Sequence, residues 1–116
     1  MIMADCIFCK IAAKQIPAKT AFENGQLLAF HDIHPMAPVH LQIIPKRHIA
    51  RVSDLDKESA EIVGQLVLAA NKLAAEMGVA EPGYRLVINC NPAAGQSVYH
   101  LHLHLLGGRP LGWPPG

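Results

Sequence analysis

Residues 100–105 read His-Leu-His-Leu-His-Leu, and a strict period of two commits such a run to a strand with one leucine face and one imidazole face. The leucine face has to be covered by other apolar residues, so this strand must lie in a sheet that is backed on at least one side. At a rise of about 3.3 Å per residue, alternate Cβ atoms stand about 7 Å apart. His100, His102 and His104 can then surround one small anionic group.

The rest of the chain supplies the sheet and its backing. Asp5 can cap a short helix over residues 6–13, with Ile7, Phe8 and Ile11 on one side and Pro17 beyond its end. Extended segments follow at 19–23 and 26–31, separated by Asn24-Gly25, the strongest hairpin signal in the sequence. His40–Ile44 reads as another strand, with Pro38 and Pro45 at its ends, where a missing donor is tolerated. One long helix is predicted over 57–77 from the apolar stripe Ile62, Val63, Leu66, Val67, Ala70, Leu73, Ala74 and Met77, with Asp54 or Asp56 capping its start and Gly78 its end. Residues 84–89 alternate as a strand, and the loop 91–95 leads to a last strand over 98–106. Strands joined by short turns around one helix predict an α+β fold with a mostly antiparallel sheet, in one domain spanning residues 1–116.

Composition narrows the classes of partner. Hydrophobic residues make up 51% and charged residues 16%, which predicts a compact chain with apolar surface to spare for a second subunit. A formal charge of +1 gives no field for nucleic acid. No window approaches the roughly 20 apolar residues that span a bilayer, and Met1–Asp5 lacks the features of a secretory signal, so no membrane association and a cytoplasmic location are expected. Three cysteines, Cys6, Cys9 and Cys90, suit reduced thiols or a metal better than a disulfide framework. Cys90 is expected to be a buried strand residue.

Three readings compete for the histidine strand: a half-exposed strand whose polar face uses histidine, a zinc site of the His-x-His type, or a phosphoryl site. The preceding Gly95-Gln96-Ser97-Val98 favours the last, since it offers backbone N–H groups, a hydroxyl and an amide to phosphoryl oxygens. Neutral imidazole is a good nucleophile toward phosphorus near neutral pH.

The run His100–Leu106 resembles the motif of the histidine-triad (HIT) superfamily. Phe30-His31-Asp32-Ile33, Pro35, Pro38, His40, Ile44-Pro45-Lys46, His48-Ile49, Gly83-Tyr84-Arg85, Asn89, Gly95-Gln96-Ser97-Val98, Gly107-Gly108-Arg109 and Trp113-Pro114-Pro115-Gly116 resemble its Hint branch. The resemblance implies a HIT-like fold: a five-stranded, mostly antiparallel sheet with one long and one short N-terminal helix, extended across a two-fold homodimer. It implies His102 as nucleophile through Nε2, with Nδ1–H held by a carbonyl, expected to be that of His100. His104 would serve the phosphoryl oxygens, Ser97 the leaving amine or a non-bridging oxygen, and His40 would orient the triad from behind. The nucleotide would lie against Asp32, Ile33, Asn89, Gly95, Gln96, Ser97, Val98, His102 and His104, with Asp32 on the ribose hydroxyls. Phe8, Phe30, Ile33 and Leu41 are candidate walls for the base, though apolar residues of this kind more often serve simply as core.

Cys6 and Cys9 form a C-x-x-C pair at the start of the first helix, half of a zinc site. The resemblance implies that His48 and His100 complete it, as a structural zinc with no open position; two ordinary buried cysteines are the alternative. A thioredoxin-like redox role lacks its flanking βαβ pattern. The activity implied is cleavage of the P–N bond of purine nucleoside phosphoramidates, substrates of the nucleoside monophosphate class, with no cofactor needed for the chemistry. Dinucleoside polyphosphate hydrolysis of the Fhit type and a nucleotide-binding regulatory role are the alternatives. In the implied dimer, Leu68, Ala69 and Ala75 of the long helix and the strand 84–89 would face the partner, and the tail 107–116 would reach toward its site.

Overall fold

The structure, a computed structural model, describes residues 5–116. Strands β1 (Thr20–Glu23), β2 (Leu27–His31), β3 (Val39–Pro45), β4 (Tyr84–Val87) and β5 (Leu103–Gly107) form one sheet in the order β1-β2-β3-β5-β4, and every neighbouring pair is antiparallel. With helices α1 (Ile7–Ala12) and α2 (Glu61–Glu76), this is the expected α+β architecture. Among the described residues no helix is long and apolar enough to cross a membrane.

Register explains how the sheet acquires two unlike faces. Leu41 stands opposite His31 and Leu105, whereas its neighbour Gln42 stands opposite Phe30 and His104. On the Leu41 face, Leu27, Ala29, Ile43, Leu103 and Leu105 pack against Leu66, Ala70, Leu73 and Ala74 of α2. On the other face, α1 covers Leu28, Phe30 and Ile44 with Phe8 and Ile11. The remainder of that face carries His40, Gln42 and His104.

Local chemistry moves several predicted boundaries. The N-cap of α1 is Cys6 and not Asp5, its Sγ accepting from the Cys9 N–H at 3.3 Å. The hairpin forms where Asn24-Gly25 predicts it, held by the Asn24 side-chain oxygen, which accepts from Gln26 and Leu27 N–H at 2.8 and 2.7 Å. Helix α2 starts at Glu61 rather than 57, because Asp56 Oδ1 takes the N–H groups of Glu58 and Ser59, both at 3.0 Å, and closes a separate turn. Asp54 is engaged by Arg51 instead. The helix ends as predicted at Gly78, whose φ of +77° allows Val79 N–H to reach the Ala74 carbonyl at 2.9 Å.

The last strand begins at Leu103 and not at 98. Leu103 pairs with Ile43, so residue 101 would face Pro45, which has no N–H with which to continue the ladder. Leu101 N–H turns to the Ile49 carbonyl at 2.6 Å instead. Strand β4 likewise stops at Val87, leaving Cys90 half-buried in a loop beside Ser53, not in a strand. Ala69 belongs to the helix-side core, and Leu68 lines a groove with Phe22 at the β1 edge, far from the strand with which it was expected to share a patch.

Candidate active site and metal centre

The three histidines do not converge on one anion. Because the ladder ends at Pro45, its carbonyl is free to accept, and the fully buried His100 donates Nε2–H to it at 2.8 Å. That fixes a bare Nδ1, which lies 3.4 Å from Cys6 Sγ and 3.6 Å from Cys9 Sγ. His48 Nδ1 lies 3.3 Å from Cys9 Sγ, and the four ligand atoms all fall within 4.8 Å of one another. Zinc bonds of about 2.3 Å to sulfur and about 2.0–2.1 Å to nitrogen place tetrahedral S and N ligands about 3.6 Å apart. The donor set and its spacing therefore fit a zinc ion. Burial pushes the His100 imidazole down to about 4, which keeps it in the neutral form a metal takes, and pushes the Cys6 thiol up, so that Cys6 keeps its proton until a cation displaces it.

His102 turns to the other side. Its Nδ1–H donates to the His100 carbonyl at 2.7 Å, leaving the Nε2 lone pair without a partner among the described residues. Burial lowers its pKa, opposed by that hydrogen bond, so the ring is neutral at pH 7. Phe8 packs edge-on against it at 5.2 Å between centroids, and His104 stands at 5.0 Å.

A chain of hydrogen bonds fixes the proton of His104. Met36 N–H donates to His40 Nδ1 at 3.0 Å, so neutral His40 carries its hydrogen on Nε2 and donates it to His104 Nδ1 at 2.9 Å. His104 is left with Nε2–H as its free donor. Burial and then the neighbouring His102 and His40 push its pKa down to about 4, which keeps it neutral too. Asp32, His40 and His104 also gather three ligand atoms within 4.8 Å. A metal there would need the His40 Nε2 lone pair, which the Met36 N–H denies it. The two clusters thus differ in kind: one presents lone pairs, the other a run of donors.

Asp32 is held by the His34 N–H on Oδ1 at 2.8 Å and by Gln42 Nε2–H on Oδ2 at 2.7 Å. Gln42 was not singled out from sequence, although a polar residue in an apolar strand, directly across from His104, was the available signal. Its Oε1 is buried and has no partner among the described residues.

The remaining predicted residues divide. Gln96 is buried and knots its own loop, accepting from Asn91 N–H at 2.9 Å and donating to the Ala50 and Val98 carbonyls at 2.9 and 3.1 Å. Its amide is therefore not offered to a phosphoryl group as expected. The backbone N–H groups of Ser97 and Val98 donate to nothing among the described residues, and Gly95, at φ +88°, sets up their turn. Ser97 is exposed in a cleft with Cys6 and His48, while Val98 packs on the Phe8 cluster. Asn89 is half-buried beyond β4. Ile33 is 86% exposed and open to a ligand, whereas Leu41 lies in the α2 core and cannot line the site. Phe8 and Phe30 are buried edge-to-face at 5.4 Å between centroids, as core.

A family profile described as HIT domain matches residues 13–111. An uncharacterized HIT-like protein of Synechococcus elongatus is 51% identical over 112 residues, 97% of either chain. Among solved structures, a HIT family hydrolase from Legionella pneumophila is 54% identical with a TM-score of 0.95, covering 97% of this chain and 100% of that one. A HIT family hydrolase from Clostridium thermocellum is 48% identical with a TM-score of 0.93, covering 95% and 96%.

Proposed function

This chain belongs to the HIT domain family, and from that premise we propose that it hydrolyses the P–N bond of purine nucleoside 5′-phosphoramidates through a nucleotidyl-histidine on His102. The observation that carries the reading is the 2.7 Å bond from His102 Nδ1–H to the His100 carbonyl, which leaves Nε2 as a neutral, unshared nucleophile.

In the first step the Nε2 lone pair forms a bond to phosphorus and the P–N electron pair leaves with the amine. The amine takes one proton from solvent as it leaves; in the second step water displaces His102 and releases one proton to solvent, so the enzyme emerges unchanged with His102 Nδ1–H still on the His100 carbonyl. His104 Nε2–H and the uncommitted N–H groups of Ser97 and Val98 act as donors to the phosphoryl oxygens as charge grows. Asp32 accepts from the ribose hydroxyls, with its carboxylate pre-set by Gln42 and His34. The exposed Ile33 offers an apolar surface to the base. Cys6, Cys9, His48 and His100 would hold the zinc; with all four positions taken by protein, its contribution is to structure.

Comparison of kcat/KM for adenosine 5′-phosphoramidate and for diadenosine polyphosphates tests the substrate class. We expect the phosphoramidate to lead by about tenfold or more, a difference of about 1.4 kcal/mol. The reverse preference makes the chain a dinucleoside polyphosphate hydrolase, and nucleotide binding without turnover of either makes it a binding module.

We also propose a homodimer through the outer edge of β4, the end strand of the sheet, which pairs on one side only among the described residues and whose Tyr84, Arg85, Leu86 and Val87 are all half-buried. Arg85 ties the tail to this edge, Nη2 donating to the Gly112 carbonyl at 2.7 Å, so a partner pairing here meets the exposed Trp113. Sedimentation should give about twice the 12.5 kDa chain mass; a monomer at micromolar concentration removes the dimer from the account.

A further inference from the structure

Gly107-Gly108-Arg109 leaves the end of β5 against the loop 33–38 and has no part in the chemistry above. Gly108 has φ +93°, and a Cβ there would stand 2.9 Å from Pro38 Cβ, so only glycine brings the tail this close to the loop. Arg109 then reaches over it. Its Nε donates to the Met36 carbonyl at 3.0 Å, while Nη1 donates back to the Pro110 carbonyl at 2.9 Å and braces the guanidinium.

Met36 is the residue whose N–H occupies His40 Nδ1 at 3.0 Å. The loop has few other means of holding itself: Pro35 and Pro38 lack donors, and among the described residues its only other N–H bond is that of His34 to Asp32. If Met36 N–H leaves, only Asp32 Oδ2, 3.4 Å from His40 Nε2, still draws the hydrogen to that nitrogen, and His40 gains Nδ1–H as an open alternative. In that form His40 Nε2 becomes an acceptor, His104 must place its own hydrogen on Nδ1 to keep their 2.9 Å bond, and His104 Nε2 is left bare. A bare Nε2 would set a lone pair against a phosphoryl oxygen.

We infer that Arg109 is a positioning residue: by holding Met36 it keeps the His40 hydrogen on Nε2 and so keeps His104 a donor at its own Nε2. The kinetic part of this inference rests on the role given to His104 above; the tautomer part does not.

Ring-nitrogen shifts from long-range proton–nitrogen NMR correlations on the zinc-loaded protein read each tautomer directly. Wild type should show His40 and His104 each protonated at Nε2. Arg109→Ala should shift both toward the Nδ1–H form while its backbone spectrum stays dispersed, and kcat should fall by about five- to tenfold, the worth of one lost hydrogen bond. Arg109→Lys keeps a donor and should restore the wild-type shifts. Arg85→Ala cuts the tail's other tie, to the Leu111 and Gly112 carbonyls, and should leave both tautomers unchanged. Wild-type nitrogen shifts in a folded Arg109→Ala protein would overturn the inference whatever the kinetics. Absence of phosphoramidate turnover by wild type would sink the proposed activity instead, with the nitrogen shifts still deciding the role of Arg109.

Discussion

Replacement of His102 by glycine is expected to lower kcat for the phosphoramidate by at least about a thousandfold, or about 4 kcal/mol of transition-state stabilisation, because no other neutral imidazole can take its place. His100 has both nitrogens committed, Nε2 to the Pro45 carbonyl and Nδ1 to the cysteine cluster. His104 Nδ1 is occupied by His40, and its Nε2 carries the hydrogen. Affinity for the nucleoside monophosphate should change little, since Asp32 and the Ser97–Val98 amides remain. Calorimetric titration with the product nucleotide separates the two effects. A variant retaining more than a few per cent of kcat, flagged against the expected loss of about a thousandfold, would take the nucleophile's role from His102.

Conversion of Cys6 and Cys9 to serine together is the second large effect. The protein as purified should hold about one zinc per chain, and the double variant should hold none. Stability should fall by several kcal/mol, lowering Tm by about 10–20 °C. The cause lies in how α1 is attached. Cys6 caps the helix, Cys9 is buried beneath it, and Phe8 between them packs on His100 and His102 at 6.0 and 5.2 Å between centroids. Without its metal anchor the helix is held by the packing of Phe8 and Ile11 on Leu28, Phe30 and Ile44 and of Phe8 on the two imidazoles. Elemental analysis of protein purified without chelator, alongside thermal unfolding of both forms, checks the claim. Zinc-free wild type with the Tm of the variant would defeat it and leave the assignment of His102 standing.

The period of two in residues 100–105 made the leucine face legible, and Leu103 and Leu105 do enter the core under α2. The same period misled about the imidazoles. It presumed a straight strand through all three, whereas Pro45 on the neighbouring strand withholds the N–H that would extend the ladder past Leu103. A proline's effect on a strand 58 residues away in sequence, counting from Leu103 back to Pro45, is readable only once register is known. The tautomers were hidden for a related reason. They are fixed by the Pro45 and His100 carbonyls and the Met36 N–H, main-chain groups that every sequence possesses and only a fold can aim. Gln96 looked like a phosphate ligand because side-chain amides suit phosphates, but the loop around Asn91 needs that amide for its own unpaired groups. The pairing of Cys6 and Cys9 with His48 and His100 came from family resemblance, and their gathering could not have been obtained from spacing alone.

In the proposed reaction phosphorus passes from the amine to His102 and then to water, two displacements in line. Hydrolysis of an adenosine phosphorothioamidate of known configuration in 18O-enriched water separates this from direct attack by water. Each in-line displacement inverts phosphorus, so a covalent intermediate gives a product with overall retention. We expect retention. Inversion would mean that water reaches phosphorus first, and would contradict the account.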